Sequence, residues 1–145
     1  MTPQNILVPV DLDDESTWGR PLSTAVEYAG WAGAKVHVIT VVPNDLIRMT
    51  VVAQVIPEDF EERLRIDAKQ RLSTAIKKCV SDESDVQQIV HLGKIPHEIL
   101  ETARDIEADL IVMAAHKPKL GDFMTGSTTD QVVHRAPCSV WIIRD

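Results

Sequence analysis

Residues 110 to 114, Leu-Ile-Val-Met-Ala, form an unbroken apolar run between Asp109 and a polar loop. The run is too short for an ordinary helix and shows no alternation, so it predicts a strand buried on both faces. Such a strand cannot sit in a sheet with one side in water. Both of its faces must be covered, as they are when helices flank a parallel sheet.

The rest of the chain meets that demand. Ile6-Leu7-Val8-Pro9-Val10-Asp11 reads as a short strand. Pro9 has no N–H for a ladder, so in a central strand it belongs near the carboxyl end. Trp18, Leu22, Ala25, Val26 and Ala29 recur at helical spacing; Asp14 or Ser16 starts that helix, Pro21 is a first-turn residue or a kink, and Gly30 and Gly33 close it. Lys35 to Val42 is a second strand ended by Pro43, in which His37 is expected to be hydrogen-bonded or at an edge. Residues 43 to 56 are partly apolar and admit two readings, a flap over the sheet mouth or a dimer contact. Phe60, Leu64, Ala68, Leu72, Ala75, Ile76 and Cys79 mark an amphipathic helix, with acidic residues at its amino end and Lys77-Lys78 at its carboxyl end. Val86 to Leu92, interrupted by Gln87, Gln88 and His91, has the pattern of an edge strand. Gly93 turns the chain into a helix that has Pro96 in its first turn and carries Ile95, Ile99, Leu100, Ala103 and Ile106, with His97 at the surface. After the run at 110 to 114, a short helix places Thr129, Val132, Val133 and Ala136 on one side, Pro137 stops it, and Val140 to Ile143 is the last strand.

Strands alternating with helices predict a single doubly wound α/β domain over residues 1 to 145, with a five-stranded parallel sheet in the order 3-2-1-4-5. In that order a crevice opens between the ends of strands one and four, where open parallel sheets bind ligands. Asp11 then faces Ala114 and the helix start at Gly126-Ser127-Thr128. Gly126 permits close backbone approach, Ser127 and Thr128 carry hydroxyls, and the first amides of a helix suit an anionic oxygen. Gly-Ser as a plain helix cap is the competing reading. Asp11 likewise has two readings, an acceptor for a ribose hydroxyl or a metal ion, or a cap for the turn that follows.

Composition narrows the function classes. At 44% apolar content the 145 residues can bury a real core. A formal charge of −7 argues against general nucleic-acid or anionic-membrane binding, which need a basic footprint. Cys79 and Cys138 stand alone, without metal spacing, and read as small core residues. No run reaches transmembrane length and the amino terminus has no leader pattern, so no membrane insertion and a cytoplasmic location are expected.

Several segments carry a family likeness: Ile6 to Asp11, Val38-Ile39-Thr40-Val41-Val42-Pro43, the Ala115-His116-Lys117-Pro118 loop leading to Gly126-Ser127, and Val132-Val133-His134-Arg135-Ala136-Pro137-Cys138-Ser139-Val140. Together they resemble the universal stress protein family, in its nucleotide-binding branch, over essentially the whole chain. The family's phosphate motif is glycine, two residues, glycine, nine residues, then glycine with serine or threonine. Here Ala114 replaces the first glycine, Lys117 replaces the second, and eight residues (118 to 125) precede the intact Gly126-Ser127. The Lys117 replacement restricts the backbone and adds a cation.

The resemblance implies that Pro9, Val10 and Val41 surround adenine and ribose, and that Asp11 meets the ribose or a magnesium ion. It further implies that Ala114, Ala115, His116, Lys117, Pro118, Lys119 and Leu120 wrap the ribose and phosphates, while Gly126, Ser127 and Thr128 donate to phosphate oxygens. The implied ligand is ATP, ADP or AMP. The strand Val140 to Ile143, with Trp141, implies a homodimer, a helix covering that edge being the competing reading, and a regulatory module implies a protein partner that the sequence does not name. Two alternatives stand beside this reading. One is a slow ATPase or autokinase using Asp11 and magnesium; the other is a nucleotide-free interaction module.

Overall fold

Aliphatic and β-branched residues crowd the strand segments, and the sheet they build is parallel throughout. The computed structural model describes residues 2–44, 58–82, 86–115 and 127–144. Along those residues the elements are β1 (Asn5–Pro9), a 3-10 turn (Glu15–Thr17), α1 (Gly19–Ala32), β2 (Lys35–Pro43), α2 (Phe60–Cys79), β3 (Val86–Gly93), α3 (Ile95–Asp105), β4 (Leu110–Ala114), α4 (Thr128–Arg135) and β5 (Ser139–Ile143). The sheet order is β3-β2-β1-β4-β5, as expected, with every pairing parallel. Pro9 is the last residue of β1, where its missing N–H costs least. Pairing continues past it through the Val10 amide, which donates to the Ile39 carbonyl at 2.8 Å.

The two-residue period of a strand sends neighbours to opposite faces, and this chain fills both. Ile6, Val8 and Val10 pack with Trp18 and Leu22 on the α1 side and with Leu72 and Ile76 of α2. Leu7, Ile39, Ile111 and Met113 pack on the other side against Ile99, Leu100 and Ala103 of α3 and Val132 of α4. Full burial of each such aliphatic side chain contributes roughly 1.5–3 kcal/mol, so both helical layers are needed. At the amino ends of the strands, the Asp109 carboxylate accepts from the Gln4 and Asn5 amides at 2.7 and 3.0 Å. His37 Nε2 lies 3.1 Å from Asn5 Oδ1 and is the hydrogen-bonded histidine that its pattern predicts.

Local details depart from the sequence reading at a few points. Gly30 does not close α1: the helix runs on to Ala32, and Gly33 ends it in the left-handed conformation with φ 70°. Val133 is 47% exposed although it was expected on the packed side of α4. Consecutive helical residues point about 100° apart, so Val132, fully buried, leaves no room for its neighbour on that face. Ile106 caps α3 rather than belonging to it. Cys79 and Cys138 are free and only half-buried, at the margins of the two cores, and burial raises both thiol pKa values. The segment 45 to 56, read as a flap or contact, lies outside the described residues. Among those residues, no helix is long and apolar enough to cross a membrane.

Candidate functional site

Chain direction creates the site. From β1 the chain leaves toward the α1 face, whereas α4, which follows β4, lies on the opposite face, so the carboxyl ends of two adjacent strands diverge. A cavity of about 460 Å³ opens there, within the range of small-molecule sites. Its floor is Pro9, Val10, Ile39, Val41 and Met113; Leu64, Asp67, Ala68 and Arg71 of α2 form one wall, and Ile95 and Ile99 of α3 the other. Ala114, Ala115, Thr128 and Thr129 close the end beside α4, and Asp11 and Asp13 stand at the rim of β1.

Of the residues singled out from sequence, Pro9, Val10, Asp11, Val41, Ala114, Ala115 and Thr128 all line this one cavity. Ser127 does not line it. Its hydroxyl oxygen accepts from the Asp130 amide at 3.1 Å, which is the plain helix cap; the hydroxyl hydrogen remains available to donate. Thr129 Oγ1 reaches the Ala114 carbonyl at 3.4 Å, a long contact between the start of α4 and the end of β4. His116, Lys117, Pro118, Lys119, Leu120 and Gly126 lie outside the described residues.

The turn-capping reading of Asp11 is visible in its geometry. Oδ1 accepts from the Asp13 amide at 3.0 Å and the Asp11 carbonyl accepts from the Asp14 amide at 3.1 Å, so the residue does cap its turn. The side chain is nevertheless exposed at the rim of the cleft, with a second carboxylate oxygen free of the turn to accept a hydrogen bond. Among the described residues, no three His, Cys, Asp or Glu side chains converge as metal ligands.

The structure adds a wall that the sequence reading missed. Asp67 and Arg71 stand four residues apart on α2, flanking the stripe of Leu64, Ala68 and Leu72, and both reach the cleft. An acidic–basic pair at that spacing was visible in the sequence. What was not visible is which end of the sheet this flank overlooks. Arg71 Nη2 donates to the Leu12 carbonyl at 3.1 Å and to Asp13 Oδ1 at 2.7 Å. The Asp13 carboxylate, with Asp67 and Asp11 nearby, raises the guanidinium pKa above its already high ordinary value, so the cation is permanent.

Comparison with known proteins places this architecture. The model of the universal stress protein family matches residues 2–144. Universal stress protein G of Escherichia coli O157:H7 is 27% identical over 143 residues, covering 97% of this chain and 99% of that protein. A universal stress protein solved in complex with cAMP superposes with a TM-score of 0.64 at 19% identity, covering 99% of this chain and 98% of that one. The universal stress protein of Archaeoglobus fulgidus solved in complex with dAMP gives 0.62 at 23% identity, covering 99% of each chain. At these identities the two structures establish likeness of fold.

Proposed function

Because this chain belongs to the universal stress protein family, we propose that its cleft takes an adenine nucleotide and that the protein works as a nucleotide-responsive regulatory module. The observation that carries this reading is a single cavity shared by the rim of β1 and the start of α4. An apolar floor with Val41 suits a flat base, the Asp11 carboxylate suits ribose hydroxyls, and the Thr128 end suits phosphate. Two proteins of the same fold hold cAMP and dAMP, which supports the same ligand class here. AMP, ADP and ATP are all candidates. Asp11 is the carboxylate through which a magnesium ion carried by the phosphates would meet the protein.

The same reading includes a homodimer through β5, which pairs only with β4 among the described strands and bears Trp141, 38% exposed, against Tyr28. A cytoplasmic location goes with it. Titration calorimetry with AMP and with ATP, with and without magnesium, tests the central claim. Saturable heat is expected for at least one nucleotide, and Ala115→Trp, which fills the cavity from a half-buried position, removes it. No heat with any of them refutes the reading. Sedimentation of the wild type and of Trp141→Lys checks the dimer.

A further inference from the structure

Among the described residues that line the cleft, Arg71 is the only cation, and it stands among three carboxylates, Asp11, Asp13 and Asp67. Its contacts do not look like structural necessity. Arg71 and Asp13 are 46% and 85% exposed at the side chain, and an ion pair that open contributes little to stability. The helix that carries it is already held by buried Ala68, Leu72, Ala75 and Ile76. The turn it touches is closed by its own bonds, from the Asp13 amide to Asp11 Oδ1, from the Asp14 amide to the Asp11 carbonyl and from the Ser16 amide to Asp14 Oδ1.

The electrostatic case is stronger. Without Arg71 the ionised side chains in the described walls would all be carboxylates, leaving the amides at the start of α4 as the described groups that favour a phosphate. With it, a planar fork of donors sits at the rim, and its current anion is a side chain that loses little by returning to water. We propose that Arg71 selects for the phosphate of the nucleotide, exchanging the Asp13 carboxylate for phosphate oxygens when the ligand enters. This rests on the adenine-nucleotide reading above and adds a specificity determinant on α2. Asp13 is then a competitor for the guanidinium, so substituting the two ends of one ion pair has opposite effects on binding.

The test is calorimetric titration of AMP and of adenosine into wild type, Arg71→Gln and Asp13→Asn, at low and at moderate salt. Arg71→Gln weakens AMP by about tenfold or more and changes adenosine by less than about twofold. Asp13→Asn tightens AMP, by about threefold at low salt, because it frees the guanidinium and removes a like charge. If Arg71 only braces the turn, both variants weaken both ligands alike, and the inference falls. Unchanged AMP affinity in Arg71→Gln also overturns it. If the wild type binds neither AMP nor adenosine, the nucleotide reading fails and takes this inference with it; binding of both with no charge selectivity removes this inference alone.

Discussion

Replacing Gly93 with alanine tests how α3, and with it one wall of the cleft, is set in place. Gly93 ends β3 with φ 154°, in a region that side-chain-bearing residues rarely adopt. A non-glycine residue there costs roughly 1–3 kcal/mol in backbone strain. The added Cβ would also lie 2.6 Å from Glu98 Oε1 and 2.9 Å from its Cγ, far inside contact distance. Glu98 is a flexible side chain and can withdraw, but it then leaves His91 Nδ1, now 3.2 Å from its Oε2. That half-exposed contact is worth about 0.2–1 kcal/mol. The two terms together put Gly93→Ala at about 1–4 kcal/mol, or roughly 3–15 °C in Tm for a domain of this size. Urea titration of the wild type, Gly93→Ala, Glu98→Ala and the double variant separates the terms. In the Glu98→Ala background the steric part is absent, so Gly93→Ala costs less there by up to about 1 kcal/mol, with the slope m unchanged. A Gly93→Ala midpoint within about 0.5 kcal/mol of wild type would refute the strain argument. Equal costs in both backgrounds would show that Glu98 does not pack where the glycine allows it.

Three further outcomes follow from local structure. Ser127→Ala removes the acceptor for the Asp130 amide and lowers stability by about 1 kcal/mol, while Ser127→Asp restores most of it; thermal melts of the pair check the cap. Glu107 holds φ 53° after α3, so Glu107→Gly raises the denaturation midpoint by up to about 1 kcal/mol, and a loss there would contradict the backbone argument. His37 is pushed below the ordinary value of 6.5 by burial and then by Lys35. Its neutral form is favoured in the folded state, so the unfolded chain binds the proton more readily. That contribution to stability is complete above pH 6.5 and is lost as pH falls through 6.5 toward the folded-state value. Urea midpoints at pH 7.5 and 5.5 therefore differ less in His37→Gln than in wild type.

Much of this fold was readable without coordinates because its signals are local. The unbroken run Leu110–Ala114, the strand-ending Pro9 and Pro43, the stripe Ala68, Leu72, Ile76 and the stop at Pro137 each follow from backbone geometry or periodic burial within a few residues. The alternation of those elements then leaves few topologies, and the observed strand order is the one that places the most apolar runs in the middle. That order brought Asp11 and Ala114 to one opening, since a parallel sheet has its switch point where the crossovers diverge, whereas Pro9, Val10 and Val41 came from the family resemblance.

What tertiary structure alone decided is which side chains face one another across that opening. Asp67 and Arg71 look like any solvated pair on a helix flank until α2 is laid over the carboxyl ends of β1 and β2. Ser127 had two readings, cap and ligand group, and the fold shows its oxygen capping α4 while its hydroxyl hydrogen is left to donate. Val132 and Val133 are equally apolar, and only packing against α3 and the sheet chose which one is buried. Sequence pattern governs what a segment does along its own axis, because backbone sterics and burial period act over a few residues. The rotation of each helix about that axis, and hence the charge lining the cleft, depends on contacts between residues far apart in the chain.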